Sequence, residues 1–496
     1  MTEPTARLSA REEQFEHFRQ RTGFVAAPLV FALLSCVPVS SDLTWQAQQL
    51  LAVLGLVITL WITEAIPLPV TALFGPALCV ILGVAPAKDI FKNFADPIIF
   101  LFLGSFLLAE AMLRHGLNRR VAFLILGLRG VGESPARLLA AFGAVTGFLS
   151  MWISNTAATA MMFPIGVAIL TEMARRQGER TGQSIHFTQL KYGTGLMLTA
   201  AFASSIGGLA TPVGSPPNLI TLALIRKNLG RDISFLEWMA FGAPLAVVLV
   251  VALVIYLNRV CPAEAGLLGD SGRWLRAEKA KLGRWTGGER NVLLAFAVTV
   301  ALWLAPGVFL LALGDQHPTA RWFAAHLPES VVALLGATLL FVLPTDWRRR
   351  EFTLKWDDAR RIDWGTILLF GGGLALGDMM VSTGLAKWIG EGLAQLLQAK
   401  TTFGLVALFT VVSIMLTETT SNTAAATMVV PVAIAVAQAA GADPLPPAID
   451  ACLGDSMAFM LPDSTPPNAI VYGSGCVPLL KMVKHGLVLD LVAAVV

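Results

Sequence analysis

Two short stretches, Ser154-Asn155-Thr156 and Ser421-Asn422-Thr423, each set two hydroxyls and one amide side by side with no formal charge. Each lies near the middle of a long apolar segment, 135–172 and 403–437. If a helix starts at such a triplet, its N-terminus offers free backbone N–H groups and a partial positive charge, which together attract an anion. Ser and Thr would equally serve there as ordinary helix caps, and a cap can also hold a ligand. Two such tips facing each other make two anion cradles. A substrate with two separated carboxylates would span them.

Two further apolar segments, 193–226 and 446–473, are interrupted by Gly214-Ser215-Pro216-Pro217-Asn218 and Ser464-Thr465-Pro466-Pro467-Asn468. Proline lacks the N–H donor and breaks the helix, freeing carbonyls of the preceding half. Carbonyls at a half-helix C-terminus are hard, partly negative ligands suited to Na⁺. Another hydroxyl, Ser150 or Thr417, stands four residues before each triplet. Each half of the chain can therefore assemble hydroxyl, amide and carbonyl oxygens beside its anion cradle. A sodium ion there would offset the anion's charge and couple the two binding events, although these residues do not name the ion.

The remaining reactive side chains offer no competing chemistry. The five cysteines share no metal-like spacing, and the six histidines are dispersed, so neither a catalytic dyad nor a metal-ligand set stands out. No Arg or Lys falls inside the expected site. Glu64, Glu110 and Asp378 are expected at helix ends as interfacial or capping groups, and Glu418 as support for the second triplet. Asp463 and Asp455 are less ordinary. They are eight residues apart, a little over two turns, so both could share a helix face. An ionisable group at membrane depth is a functional candidate by default. Asp463 either adds negative charge beside the second cation position, as a modifier of that site, or caps the short helix that follows.

The elements that position these groups are membrane elements. Charged residues are 14 % of 496 and hydrophobic residues 55 %, against roughly 25 % charged in soluble domains. So few charges cannot cover a water-facing surface, and the chain must face a lipid bilayer. A net charge of +3 excludes nucleic acid as a partner. Apolar runs at 24–40, 44–63, 67–86, 97–113, 235–258, 289–313, 328–344 and 364–382 approach the roughly 20 residues of a spanning helix. With the interrupted segments they predict an all-α polytopic membrane protein of about 11 transmembrane helices. A polar tail, 1–22, precedes the first run, with no cleavable signal peptide. The last run, from 478, is expected to be a clipped or incomplete helix. A basic linker, 259–288, divides a first half, 23–258, from a second, 289–496. If 135–172 and 403–437 are re-entrant hairpins, 28 of the 36 Lys and Arg residues fall on one side. The positive-inside rule then places the N-terminus in the cytoplasm.

The halves repeat each other. Residues 154–169 align with 421–436, 211–220 with 461–470, and Phe102, Gly104, Glu110, Gly116 and Leu117 with Phe370, Gly372, Asp378, Gly384 and Leu385. Loop charges give the two copies opposite orientation. Inverted-topology repeats with broken helices meeting near the midplane are a signature of secondary transporters. Polar breaks in lipid are tolerated only where they line a cavity or are buried in protein.

The blocks WITEAIPLPVTALF (61–74), SMWISNTAATAMMFP (150–164), SSIGGLATPVGSPPNLI (204–220), LLFGGGLAL (368–376), TETTSNTAAATMVVP (417–431) and AFMLPDSTPPNAIVYGSG (458–475) closely resemble the divalent-anion/sodium symporter family. The resemblance covers the chain from about residue 45. It implies a homodimer in which a transport domain moves as an elevator against a scaffold domain. It implies substrate contacts from Ser154, Asn155, Thr156, Ser421, Asn422 and Thr423, with Ser215, Pro216, Thr465 and Pro466 beside them. It implies one sodium site at Ser150, Ser154, Asn155 and Gly214 and a second at Thr417, Thr420, Asn422 and Ser464. Asp463 and Ser464 depart from the family's small or apolar residues at that place, which bears on the ion and its stoichiometry.

The expected function is sodium-coupled symport of C4-dicarboxylates (succinate, fumarate, malate) in a bacterial inner membrane. No cofactor is expected beyond sodium as coupling ion, and the chain is not expected to be an enzyme. A sodium-independent dicarboxylate exchanger, or a sulfate or tricarboxylate carrier on the same scaffold, is the alternative.

Overall fold

Inside hydrocarbon every backbone N–H and C=O must be satisfied by the chain itself, which leaves helices as the usable element for a sequence of this composition. A computed structural model describes residues 10–264, 271–314, 316–397 and 401–496. Among the described residues the chain is helical almost throughout, apart from a small antiparallel strand pair, Pro344–Asp346 with Glu351–Phe352.

Seven described helices are long and apolar enough to cross a bilayer: Trp45–Thr63, Ala87–His115, Asn155–Thr181, Phe235–Val260, Gly287–Leu313, Trp364–Ser382 and Asn422–Ala439. An eighth crossing is added if Pro318–His326 and Glu329–Val342, bent by 65°, form one broken span. The larger number expected from the apolar runs also counts half-helices and shorter helices, such as Leu68–Ile81, which are too short to qualify alone.

Local sequence explains where helices start. Ser234 and Thr286 open Phe235–Val260 and Gly287–Leu313 with reciprocal capping boxes to Glu237 and Glu289. Both helices leave wide apolar faces uncovered, with Val247 62 % and Leu311 80 % exposed, as lipid-facing helices should.

The structure moves two boundaries. Helix Ala10–Cys36 runs through the expected end of the polar tail at 22, so tail and first apolar run are continuous. The linker 259–288 is partly built: Ser271–Lys281 is helical and Trp274 packs edge-on to Phe123 at 6.5 Å. Buried Arg120 holds its end, donating to the Leu282, Gly283 and Arg284 carbonyls and pairing with Glu289 at 2.6 Å. Residues 265–270 of that linker lie outside the described ones.

The repeat is visible as matched geometry. Pro97–His115 ends at Gly116 (φ 69°) before Leu117–Leu126. Trp364–Ser382 ends just before Gly384 (φ 81°) and Leu385–Leu397. Both turns use the left-handed region that glycine reaches without strain. Phe102 and Phe370, equivalent in the repeat, touch each other with ring centres 5.2 Å apart. Gly104 lies against the Ala333 backbone and Gly372 against that of Ala72, so each equivalent helix packs on a helix of the other half.

These contacts yield a stability test. A Cβ on Gly104 would stand 2.5 Å from the Ala333 carbonyl carbon, and one on Gly372 would collide with the Ala72 carbonyl. Gly104→Val and Gly372→Val should each destabilise the purified protein by about 1–3 kcal/mol. Gly392→Ala, inside a helix and meeting nothing within 4 Å, should not lower the melting temperature in detergent and should raise it slightly.

Candidate functional site

The two triplets sit at the tips of two helical hairpins. Pro135–Ser150 turns back into Asn155–Thr181, and Thr402–Thr417 into Asn422–Ala439. Ser154 and Ser421 cap the returning helices, each accepting a hydrogen bond at 3.2 Å, from the N–H groups of Ala157 and Ala424. The hydroxyls four residues earlier pin the amides. Ser150 donates to Asn155 Oδ1 at 2.7 Å and Thr417 to Asn422 Oδ1 at 2.8 Å.

Beside each tip runs a broken helix. Lys191–Gly208 resumes as Pro216–Leu229, and Leu445–Asp455 as Pro466–Tyr472. The asparagine of each Pro-Pro-Asn stitches its break. Asn218 Nδ2 donates to the Gly208 and Thr211 carbonyls, both at 2.8 Å. Asn468 Nδ2 donates to the Ala458 and Leu461 carbonyls at 3.0 and 2.9 Å and reaches Ser464 Oγ at 3.2 Å. The partners lie ten and seven residues back in both halves. Sequence reasoning treated these carbonyls as free cation ligands; side-chain amides occupy several of them. The signal was present, since the same asparagine follows both proline pairs.

Glu418 supports the second break as expected, and the structure shows how. Its carboxylate accepts from the N–H groups of Phe459, Met460 and Leu461 at 2.6, 2.8 and 3.1 Å. In the first half the equivalent residue is Met151, whose carbonyl instead accepts from the Thr211 hydroxyl at 2.5 Å.

One cavity of about 570 Å³ gathers most of the predicted groups, while Ser150 and Thr417 are buried and not among its lining residues. Ser154, Asn155, Thr156, Gly214, Ser215 and Pro216 line it from the first half, and Ser421, Asn422, Thr423, Ser464, Thr465 and Pro466 from the second. Ser215 Oγ is buried there without a hydrogen-bond partner among the described residues, whereas Thr465 Oγ1 caps its helix by accepting from Asn468 N–H at 3.4 Å.

Residues 19–496 match the family described as sodium:sulfate symporter transmembrane region. The chain belongs to that family. It is an integral membrane protein of a transporter family, not an enzyme. It is 35 % identical over 489 residues, 98 % of this chain and 91 % of the relative, to the sodium-dependent dicarboxylate transporter SdcS of Staphylococcus saprophyticus. The protein of that name from Staphylococcus aureus is 36 % identical over 487 residues, 96 % of this chain and 89 % of its own. Two solved structures share the fold. The Alcanivorax borkumensis YdaH transporter is 14 % identical, with a TM-score of 0.56 over 97 % of this chain and 96 % of that one. Neisseria gonorrhoeae MtrF is 11 % identical, with a TM-score of 0.54 over 96 % and 93 %.

The oxygens at the first tip fit a small hard cation of the kind this family's description names. A Cβ on Gly208 would stand 2.5 Å from Asn155 Oδ1 and 3.0 Å from the Gly214 carbonyl. Glycine at 208 thus keeps open a space on which neutral oxygens converge. At the second tip, Thr417 Oγ1 lies 2.8 Å from Asn422 Oδ1 and 2.7 Å from the Asp455 carbonyl. One hydroxyl proton cannot serve both acceptors, so these oxygens are rich in lone pairs and poor in protons.

Several residues lie elsewhere than expected. Thr420 turns its hydroxyl to the Trp61 carbonyl at 3.3 Å and does not line the cavity. Asp463 is exposed and is not among the lining residues, although its counterpart Val213 is. Glu110 lies within Pro97–His115 and lines the cavity, with Asp363 and Arg361 near it, so a cation does border the site. Asp378 lies one turn before the end of Trp364–Ser382 and pairs with Lys227 at 2.9 Å. Glu64 does sit at a helix end, at φ 47°, paired with Arg19 at 3.3 Å. Arg361 and Glu110 come from loops and helix faces far apart in sequence, which periodicity could not bring together.

The asparagine stitches can be tested by charge. Asn218→Asp and Asn468→Asp keep the side-chain size but replace the amide donor with an acceptor facing two carbonyls. Each should cost at least about 2 kcal/mol, seen as a lower melting temperature of the purified protein in detergent. Asn→Asp at either position without such a loss would remove the stitch.

Proposed function

We propose that this chain is a sodium-coupled symporter of C4-dicarboxylates such as succinate, fumarate and malate, working as a homodimer in a bacterial plasma membrane. The observation that carries the reading is the single cavity in which both hairpin tips and both Pro-Pro-Asn breaks meet. The tips and breaks contribute hydroxyls, amides and helix starts to its lining, and a dianion with separated carboxylates suits two equivalent cradles. Asn155 and Asn422 each take one carboxylate, assisted by Ser154 with Thr156 and by Ser421 with Thr423. The buried, unpartnered Ser215 hydroxyl is a ready donor to the same anion.

Sodium is the coupling ion in this reading. Ser150, Ser154, Asn155 and Gly214 hold one ion. Thr417, Asn422 and Ser464 hold another, with Thr420 contributing through its backbone. Because Asn155 and Asn422 belong to both the cation and anion positions, bound sodium fixes each amide's oxygen and leaves its N–H₂ facing the substrate. Occupied cation positions thereby order the anion site and neutralise part of its charge, which is the coupling. Asp463, exposed in the break, modifies the second site's field only at a distance.

The two halves, 23–258 and 289–496, act as inverted repeats. The hairpins and broken helices move together as an elevator against the remaining helices. The basic loops and N-terminus face the cytoplasm in this scheme. The names of the relatives favour dicarboxylate over sulfate and sodium coupling over exchange.

Uptake of labelled succinate into proteoliposomes is the test. Uptake should rise steeply with an inward sodium gradient and not with potassium. Asn155→Ala and Asn422→Ala should each lower succinate affinity at least about tenfold while the protein stays monodisperse. Full uptake without sodium, driven by internal dicarboxylate, would favour the exchanger, and unchanged affinity in either variant would remove the two-cradle site.

A further inference from the structure

Helices Thr402–Thr417 and Leu445–Asp455 pack side by side with almost no room between them. A Cβ on Gly454 would stand 2.9 Å from Ser413 Cβ and 3.0 Å from the Thr410 carbonyl. At this contact sits Asp455, fully buried, with neither carboxylate oxygen hydrogen-bonded or ion-paired among the described residues. The Ser413 hydroxyl lies beside that carboxylate without closing a well-formed hydrogen bond. Ser456, the next residue, also has a buried hydroxyl with no partner among the described residues. The carbonyl of Asp455 itself is one of the two acceptors crowding Thr417 Oγ1.

A buried carboxylate with one neighbouring hydroxyl and no counter-charge is not a stable arrangement by itself, because desolvation of a poorly answered charge is far too costly. The neighbouring acid shows the contrast. Glu418 is also buried, and three backbone N–H groups answer its charge. Beside the Asp455 carboxylate stands the Ser413 hydroxyl, and against its backbone carbonyl a threonine oxygen already short of protons. Every one of them is an oxygen donor to a hard cation.

We propose that the Asp455 carboxylate, with the hydroxyl of Ser413, forms a carboxylate-bearing cation position that adjoins the Thr417–Asn422 position of the second half and binds a monovalent cation. The first half has no such charge. Its counterpart of Asp455 is Ser205, likewise buried and unpartnered, and its counterpart of Ser413 is Thr146, whose hydroxyl is spent on the Phe142 carbonyl at 2.7 Å. The second half therefore holds its cation more tightly than the first, and the first cation to bind enters there. This rests on the sodium-coupled reading above.

The test is direct cation binding to the purified full-length protein, by radiolabelled sodium and by sodium-dependent rise in melting temperature. Wild type should bind sodium, and Asp455→Asn and Asp455→Ser should bind fewer ions or lose apparent sodium affinity at least about tenfold. Asp455→Ser installs the first-half residue, and Ser413→Ala keeps the charge while removing one oxygen. If the Asp455 variants do not fold, a several-fold loss of sodium affinity in Ser413→Ala supports the position and an unchanged affinity overturns it. Unchanged sodium binding and count in the Asp455 variants would mean that the acid is simply protonated, and would overturn the proposal. If wild type itself shows no sodium binding, the sodium-coupled function fails and this position falls with it.

Discussion

An open stretch of backbone inside an apolar protein survives only if its N–H and C=O groups find partners, and the two broken helices of this chain depend on how that demand is met. Asn218 and Asn468 meet it from the C-terminal side of each break, donating to carbonyls ten and seven residues back. Glu418 meets it a second time in the second half, accepting three successive N–H groups. With the breaks held, the helices that follow them start at a fixed point, and the hairpin tips have a rigid surface to pack against. The cavity exists because four interrupted elements end at one place and none can continue through it.

The two halves solve the same geometric problem with different electrostatics. Each hairpin tip pins an asparagine oxygen with a hydroxyl at 2.7–2.8 Å, and each caps its returning helix with serine. The second half alone adds buried acids, Glu418 and Asp455, where the first has Met151 and Ser205. A charge in a low-dielectric interior acts over a longer range than the neutral oxygens it replaces. Two sites related by repetition in sequence need not be equal in affinity, and binding order can follow from that inequality.

Close backbone approach ties the halves together. Phe102 meets its own repeat equivalent, Phe370, and Gly104 and Gly372 each let an equivalent helix lie directly on the backbone of the other half. Residues that touch their own equivalents lie on the axis relating the copies, so the similarity of the two segments is also a statement about where they sit.

Much of this was legible in the residues. The low charge content forced a membrane environment. The paired triplets and proline breaks named residues that line one cavity, because each rests on local composition or on identical spacing. Glu418 as a support could be named, though not the N–H groups it would hold. The tertiary structure decided the rest. Asn218 and Asn468 proved to be stitches because only the folded break brings carbonyls ten residues away under one amide. Thr420 and Asp463 proved to lie off the cavity, and Arg361, Asp363 and Glu110 on its border, because side-chain direction at a break has no sequence period. Asp455 is conspicuous in sequence only as an acid in an apolar segment. That its carboxylate is buried against Ser413 depends on Gly454 letting two helices close there, a contact between positions 41 residues apart. Spacing along one chain fixes which groups can share a helix face. It does not fix which neighbour that face will meet, because packing between helices is chosen by the shapes of both.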